Sequence, residues 1–360
     1  MRTRIIVVGA AWYGDWAKNF YRAFLHLGYN AAIVYNNSAP APLGGNSDQV
    51  TSLFEKSKAR VRRLSPGLFR ILKKIRQRFS EYEILSRVGR VDVKTERVIV
   101  IFTWTPPSPW VLKKLKSRRG VTLALWHGEP PVRDRSWDLA YPYFDHLYIV
   151  DEGIWMDELP AEEKKRVGLL PLSSDGTMFS LLSEKDEKYQ ADISFVGQYV
   201  ASRAEALGLL KDHNLKIYGF GWERGFEKYP WLKDNYFGPL PTEALNMVYN
   251  NTKVVIGTLG DPTDPHTTAT MRTFDIALAG AFQVSQDVAL TKKIFHQTVR
   301  TYKGDAEMVE LVQYYLSHED EREKLAAESH TIALGHTYEE RAKAILRDCG
   351  IVIILCSSPI

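Results

Sequence analysis

The stretch RIIVVGAAWYGDWAKNFYRAFLHLGYNAAIVY, residues 4–35, decides the fold. From Ile5 to Ala10 it is apolar and β-branched without alternation, the pattern of a parallel strand buried on both faces. Residues 16–29 then show helical periodicity and run to Gly28, which suits the position just past a helix C-terminus. NAAIVY (30–35) is a second strand. Strand, helix and strand in this short span form a β-α-β unit, the opening of a Rossmann-like sheet.

The same rhythm continues outward. RVIVIFTW (97–104), VTLALW (121–126) and HLYIV (146–150) read as strands, and residues 107–120 as a helix with proline near its start and Gly120 at its end. A turn-rich stretch, GLLPLSSDGTMFSLLSEKDEKYQ (168–190), interrupts the pattern and reads as a linker. Alternation then restarts with strands ADISFVG (191–197), LKIYGFG (215–221), KVVIGTL (253–259) and FQVSQ (282–286). Helices lie between them at 203–213, 242–251 and 270–281, and residues 308–349 are nearly all helical. The expected architecture is α/β, with two Rossmann-like domains built on parallel sheets that face a central cleft. Its boundaries are an N-terminal domain over 1–175, a linker over 176–190, a C-terminal domain over 191–348 and a tail over 349–360.

Composition removes several classes. At 360 residues, 45% hydrophobic and 25% charged, the chain holds enough apolar content for two cores. No run approaches the ~18 apolar residues of a membrane span. The N-terminal apolar run is too short for a secretory signal, so a cytoplasmic location is expected. Two cysteines, Cys349 and Cys356, cannot make a disulfide scaffold or a cysteine-based zinc site. The first loop, Gly9 to Gly14, departs from GxGxxG, which disfavours a nicotinamide cofactor. The P-loop, HExxH and GxSxG motifs are also missing from the sequence, as is an Asp-x-Asp pair to hold a metal on a diphosphate. Asp261 and Asp264 fit a solvated loop better. No metal and no cofactor are expected.

The strand ends carry the candidate site, because ligands of open α/β sheets bind there. Gly9 ends the first strand. Gly197, with Arg203 one turn later, pairs a side-chain-free approach with a guanidinium that can fork onto phosphate. Gly219, Gly221 and Trp222 place two glycines and an aromatic at the next strand end. His266, Thr267 and Thr268 put hydroxyls near a helix start, where free N–H groups favour a diphosphate. Arg272 and Asp275 share one face of that helix, and Asp275 could accept ribose hydroxyls. Plain turns, N-caps and an Arg272–Asp275 pair are the structural alternatives.

RTFDIALAGAFQVS and the segment ending HTYEERAKAIL, together with ADISFVGQYVASRAEAL, LKIYGFGW and LLPLSSDGTMF, resemble the spore-maturation-protein-like (CgeB-type) glycosyltransferases of group 1. The likeness covers residues 120–346, with the patterns R-x-F-E-x-x-A-x-G and H-T-Y-x-x-R. It implies the GT-B architecture, a nucleotide-diphosphate-sugar donor held by the C-terminal domain, and sugar transfer without a metal. Two positions depart from related retaining enzymes: Asp275 stands where a ribose-holding glutamate is usual, and Thr267 where a second glutamate is. In VTLALWHGEPP the resemblance gives His127 a role as hydrogen-bonding partner of the transferring sugar, against the alternative of a capping histidine. It suggests Glu129 as an acid–base group. An epimerase of the same fold, which would use cleft carboxylates and no acceptor, and a binding protein that has lost catalysis are the alternative functions.

The acceptor is expected to be a glycan, a lipid-linked sugar or a protein. Residues 1–175 carry 28 Lys/Arg against 18 Asp/Glu, a net +10, while 176–360 carry 19 against 25, a net −6. Ten basic residues and no acidic one lie between Lys56 and Arg78. Interleaved with Val61, Leu64, Leu68, Phe69, Leu72, Ile75 and Phe79, they read as a basic amphipathic helix for the inner, anionic membrane surface. A solvated helical face is the plainer reading. Nucleic acid is not expected, since no binding motif accompanies the charge.

Overall fold

A computed structural model of the chain describes residues 1–10, 16–36, 65–104, 106–129, 140–151, 161–259 and 268–352. The described residues form two compact units: unit 1 comprises Met1–Leu170 with Ala342–Ile360, and unit 2 comprises Pro171–Arg341.

Unit 1 is built on β1 (Arg2–Gly9), β2 (Asn30–Tyr35), β3 (Glu96–Thr103), β4 (Val121–His127), β5 (His146–Ile149) and β6 (Val167–Leu169). They pair in the order β2-β1-β3-β4-β5-β6, and every pairing is parallel. Ile5–Val8 and Val98–Phe102 are buried without a break, as their non-alternating sequences require of strands covered on both faces. The Trp16–His26 helix packs Ala17, Phe20, Ala23 and Phe24 inward, and Gly28 follows at φ +80°, where a side chain would be strained.

Unit 2 repeats the plan with β7 (Ala191–Val196), β8 (Leu215–Tyr218), β9 (Thr252–Gly257), β10 (Gln283–Gln286) and β11 (Arg300–Tyr302). Their order is β11-β10-β9-β7-β8, again parallel throughout. The two parallel α/β sheets were legible from strand rhythm. The 308–349 segment divides into the helices Asp305–Ser317, Glu319–Leu334 and Tyr338–Asp348. None of the described helices is long and apolar enough to cross a membrane.

The unit boundaries fall elsewhere than at 175 and 348. Within the stretch read as a linker, residues 180–186 are fastened in unit 2 by Asn246 and Asn250 of the Leu245–Asn250 helix and by Asn251 just past it. Asn246 Oδ1 accepts from Ser180 N (3.2 Å), Asn250 Oδ1 from Leu182 N (2.9 Å) and Asn251 Oδ1 from Asp186 N (2.8 Å). Each bond satisfies a loop amide that has no strand partner. At the other end, the last helix crosses back into unit 1 after its first turn. Ile345 and Leu346 are fully buried there, the Tyr148 hydroxyl donates to Asp348 (2.9 Å), and Arg97 donates to the Cys349 carbonyl (3.3 Å). Truncating a buried leucine removes transfer energy and leaves a cavity. Leu346→Ala should therefore cost about 2–5 kcal/mol in urea unfolding, whereas the exposed neighbour change Arg347→Ala should stay within about 0.5 kcal/mol.

Candidate active site

In unit 2 the strand order reverses between β7 and β9, which makes their carboxyl ends the crevice of the sheet. Gly197 follows β7 and Thr258 follows β9. Two guanidiniums converge here on the ring of Phe195, with Arg272 Cζ 5.1 Å and Arg203 Cζ 5.5 Å from its centroid. The Thr258 carbonyl accepts from Arg272 Nη1 and from Arg203 Nη2, each at 3.3 Å. Arg203 also donates to the Gln198 (2.9 Å) and Leu259 (3.0 Å) carbonyls, and its Nε is buried without a partner.

Neither arginine lies within ion-pair distance of a carboxylate among the described residues. Burial, reinforced by the neighbouring Arg272 charge, pushes the Arg203 guanidinium down to about 10. Two like charges held together over one ring by neutral carbonyls attract an anion. A polar recess of about 10 Å³, room for one water, lies beside them and is lined in part by Gly257, Thr270, Arg272, Ser285 and Gln286.

The glycines around this point are explained by packing. A side chain at Gly197 would come within 2.8 Å of Arg272 Nη2, and one at Gly219 (φ +133°) would run into the Gly197 backbone. The Gly197 carbonyl accepts from Trp222 Nε1 at 2.8 Å. Trp222 is fully buried, edge-on to Phe195 (5.8 Å) and Tyr199 (5.6 Å). Its indole thus supports the loop from beneath instead of offering a face for stacking. Gly221 sits at φ +82°, its missing side chain leaving room for Arg224.

The hydroxyl cluster differs from the sequence expectation. The helix begins at Met271, so the N-cap position belongs to Thr270, whose side chain bonds no helix amide. Thr268 lies ahead of the cap, buried, with its hydroxyl 3.4 Å from the Ala269 carbonyl. His266 and Thr267 fall outside the described residues, as do Asp261 and Asp264.

Asp275 is buried on the next turn of this helix, and Ser174 Oγ donates to its Oδ1 at 2.7 Å. Burial pushes the carboxyl up to about 7, against the opposing pull of the Ser174 bond and the Arg272 charge, with Asp175 adding repulsion. Ser174 and Asp175 escaped sequence reasoning because they lie in the stretch read as a linker. Asp175 turns its carboxylate back onto Thr177 N (2.9 Å) and Thr177 Oγ1 (2.7 Å), a local turn device.

In unit 1 the strand order reverses between β1 and β3. A side chain at Gly9 would meet Thr103 Oγ1 and, at 2.7 Å, Ala17 Cβ, so the β1 end needs glycine for close packing. Trp104, just past β3, holds φ +81°, an uncommon conformation for a bulky residue. His127 ends β4 with no exposed surface, its Nδ1 3.3 Å from the Trp104 carbonyl. A carbonyl only accepts, so Nδ1 carries the proton in that bond and a neutral ring keeps its lone pair on Nε2. Trp16 packs edge-on against Trp104 (6.1 Å) and Trp126 (5.2 Å), and its ring fills the space a Gly128 side chain would need. Glu129 is half-buried beyond that turn.

Residues 201–347 match the family described as glycosyl transferase-like. No curated protein matches the chain in sequence. Among solved structures, the chain is similar to a sucrose-phosphate synthase from Thermosynechococcus elongatus, with TM-score 0.64 and 9% identity over 97% of this chain and 99% of that one. HepE from Anabaena, solved in complex with UDP-glucose, gives TM-score 0.57 and 8% identity over 96% and 100%. The lipopolysaccharide outer core galactosyltransferase WaaB gives TM-score 0.53 and 12% identity over 96% and 99%. The fold is GT-B, with two Rossmann-like parallel sheets, and the glycosyl transferase-like match spans residues 201–347.

The Asp275 environment has a measurable consequence. Its folded-state value, about 7, lies above the ordinary 3.8, so the native state binds the extra proton between those values. The stability contributed by the protonated carboxyl is present below pH ~4 and is lost as pH rises through ~7. Asp275→Asn keeps the acceptor for Ser174 and removes the charge. It should be more stable than wild type by at least about 1 kcal/mol at pH 8, and the difference should shrink steadily toward pH 4 in thermal unfolding.

Proposed function

We propose that this chain transfers a sugar from a nucleotide-diphosphate-sugar donor to an acceptor, with unit 2 holding the donor and no metal on the diphosphate. The observation that carries the reading is the Arg203–Arg272 pair on Phe195, unneutralised by any described carboxylate at the switch point of a parallel sheet. The glycosyl transferase-like match over the same unit supports it, as does the likeness to a fold captured with UDP-glucose. The guanidiniums neutralise the diphosphate, where other enzymes use a divalent cation. Asp275 accepts a ribose hydroxyl, with one methylene less reach than a glutamate. The CgeB-type likeness of the sequence motifs supports reading the chain as one of the group 1 transferases. His127, as a hydrogen-bonding partner of the transferring sugar or its leaving oxygen, and Glu129, as an acid–base group, remain the assignments there.

We place the acceptor at an anionic lipid surface. The Pro66–Val88 helix exposes Ile71 (57%), Ile75 (47%), Phe79 (72%) and Tyr82 (62%). At 100° per residue these four fall within roughly 80° of one another, on a single stripe. Arg78 is exposed beside them and Lys74 flanks the stripe. The opposite side buries Glu81, Ile84 and Val88. Ile71 and Tyr82 extend the apolar set read from sequence. Residues 56–64, which carry five of its ten basic groups, lie outside the described residues.

Three outcomes are expected. In a thermal-shift series with UDP-, GDP-, dTDP- and ADP-sugars, one donor should raise the melting temperature, by about 2.7 kcal/mol of stabilisation at a hundredfold excess over Kd. Arg272→Ala should weaken that donor by roughly 1.5–3 kcal/mol, the worth of a charged hydrogen bond, and transfer should persist in EDTA. Vesicles containing anionic lipid should co-sediment the protein. Neutral vesicles should not, and Ile75→Glu with Phe79→Glu should abolish the binding.

A further inference from the structure

The motif H-T-Y-x-x-R, His336 to Arg341, lies far from the arginine pair in sequence, and the reading above gives it no role. Its geometry accounts for every fixed letter. Thr337 precedes the Tyr338–Asp348 helix, and its Oγ1 accepts from Glu340 N (3.3 Å), as an N-cap hydroxyl does. Tyr338 is buried, with its hydroxyl on Met271 Sδ (3.8 Å) at the first turn of the Asp275 helix.

Arg341 is buried. Its Nε donates to the Pro171 carbonyl (2.9 Å), and its Nη2 donates to the Leu172 carbonyl (3.2 Å) and to His336 Nδ1 (2.7 Å). His336 can accept because burial and the Arg341 charge push it down to about 4, which keeps its ring neutral. That ring packs on Phe274, the neighbour of Asp275 (5.5 Å).

The Arg341 bonds hold the extended segment that leads to Ser174. Ser174 pairs in parallel with Thr337. Ser174 N donates to the His336 carbonyl (3.2 Å), and its own carbonyl accepts from Tyr338 N (3.0 Å). With its N–H and C=O both held, the fully buried Ser174 directs its hydroxyl onto Asp275 Oδ1. We propose that Ser174, held by the His336–Arg341 latch, is the positioning residue for the Asp275 carboxylate in donor binding. This rests on the donor reading, in which Asp275 touches the ribose. The hydroxyl aims one carboxylate oxygen and leaves the other to the ligand, and it favours the ionised form that burial opposes.

A double-mutant cycle tests this, with whichever of UDP, GDP, dTDP and ADP stabilises the wild type most as the probe. Asp275→Asn should weaken the probe about tenfold or more, and Ser174→Ala should weaken it about tenfold. In the Asp275→Asn background, Ser174→Ala should then have no further effect, since its route to the ligand is gone. A merely structural role for Ser174 would give losses that add. Additive losses, or a Ser174→Ala protein that binds as wild type, would overturn the positioning role alone. An Asp275→Asn protein with unchanged affinity would overturn the ribose contact, and the positioning role with it. Arg341→Lys keeps the charge but loses the forked donors, and should show a smaller loss that also vanishes beside Asp275→Asn. If that variant does not fold, the serine cycle still decides.

Discussion

A single buried guanidinium organises the described geometry of unit 2. Arg341 spends its donors on two backbone carbonyls and one neutral imidazole, all within reach only because the chain returns to residue 171 after 170 positions. A carbonyl left without water or donor in such a place would cost of the order of 1–3 kcal/mol. Breaking the guanidinium free would be worse, since a charge would remain with nothing to solvate it. From this anchor the constraint passes to Ser174, from Ser174 to Asp275, and along the Asp275 helix to Arg272. The placing of Arg272, and with it the Arg203–Arg272 pair on Phe195, therefore rests in part on packing far from it in sequence.

The same unit shows how a parallel sheet tolerates charge at its carboxyl edge. Arg203 and Arg272 share Phe195 as a flat support and Thr258 as an acceptor. Glycines at 197 and 219 let the loops approach closely enough for this to happen. Among the described residues, no carboxylate lies at ion-pair distance from either guanidinium. A carboxylate at ion-pair distance would have made the pair a structural bridge.

Much of the fold was legible because it follows from local patterns. Ile5–Ala10 and Val98–Phe102 have no polar residue to expose, so they had to be strands covered on both faces. Gly28 sits at positive φ at a helix end, as its position suggested. Arg203 and Arg272 could be found because basic residues after strand ends are visible in one dimension. What escaped depends on contacts between distant positions. Ser174 and Asp275 are 101 residues apart, and the turn-rich composition around Ser174 suggested a free linker. Three asparagines in TEALNMVYNN fasten that segment, yet in sequence nothing distinguishes them from polar residues on a helix facing solvent. Trp222 followed two glycines like a stacking aromatic, and only burial shows that it faces inward. Thr268 missed the cap because helix starts shift by a residue or two for small changes in backbone.

The last helix belongs to unit 1 beyond its first turn, although the rest of that unit ends at Leu170. During synthesis the ribosome therefore makes the second unit whole while the first still lacks Ile345 and Leu346. The N-terminal sheet must wait, partly uncovered, for residues made 170 or more positions later. Such contacts of long sequence separation slow folding, and an unfinished core invites aggregation meanwhile. The completed chain gains in return a check on its own integrity. A product cut short before the final helix lacks the Tyr148–Asp348 and Arg97–Cys349 bonds that the finished unit 1 makes.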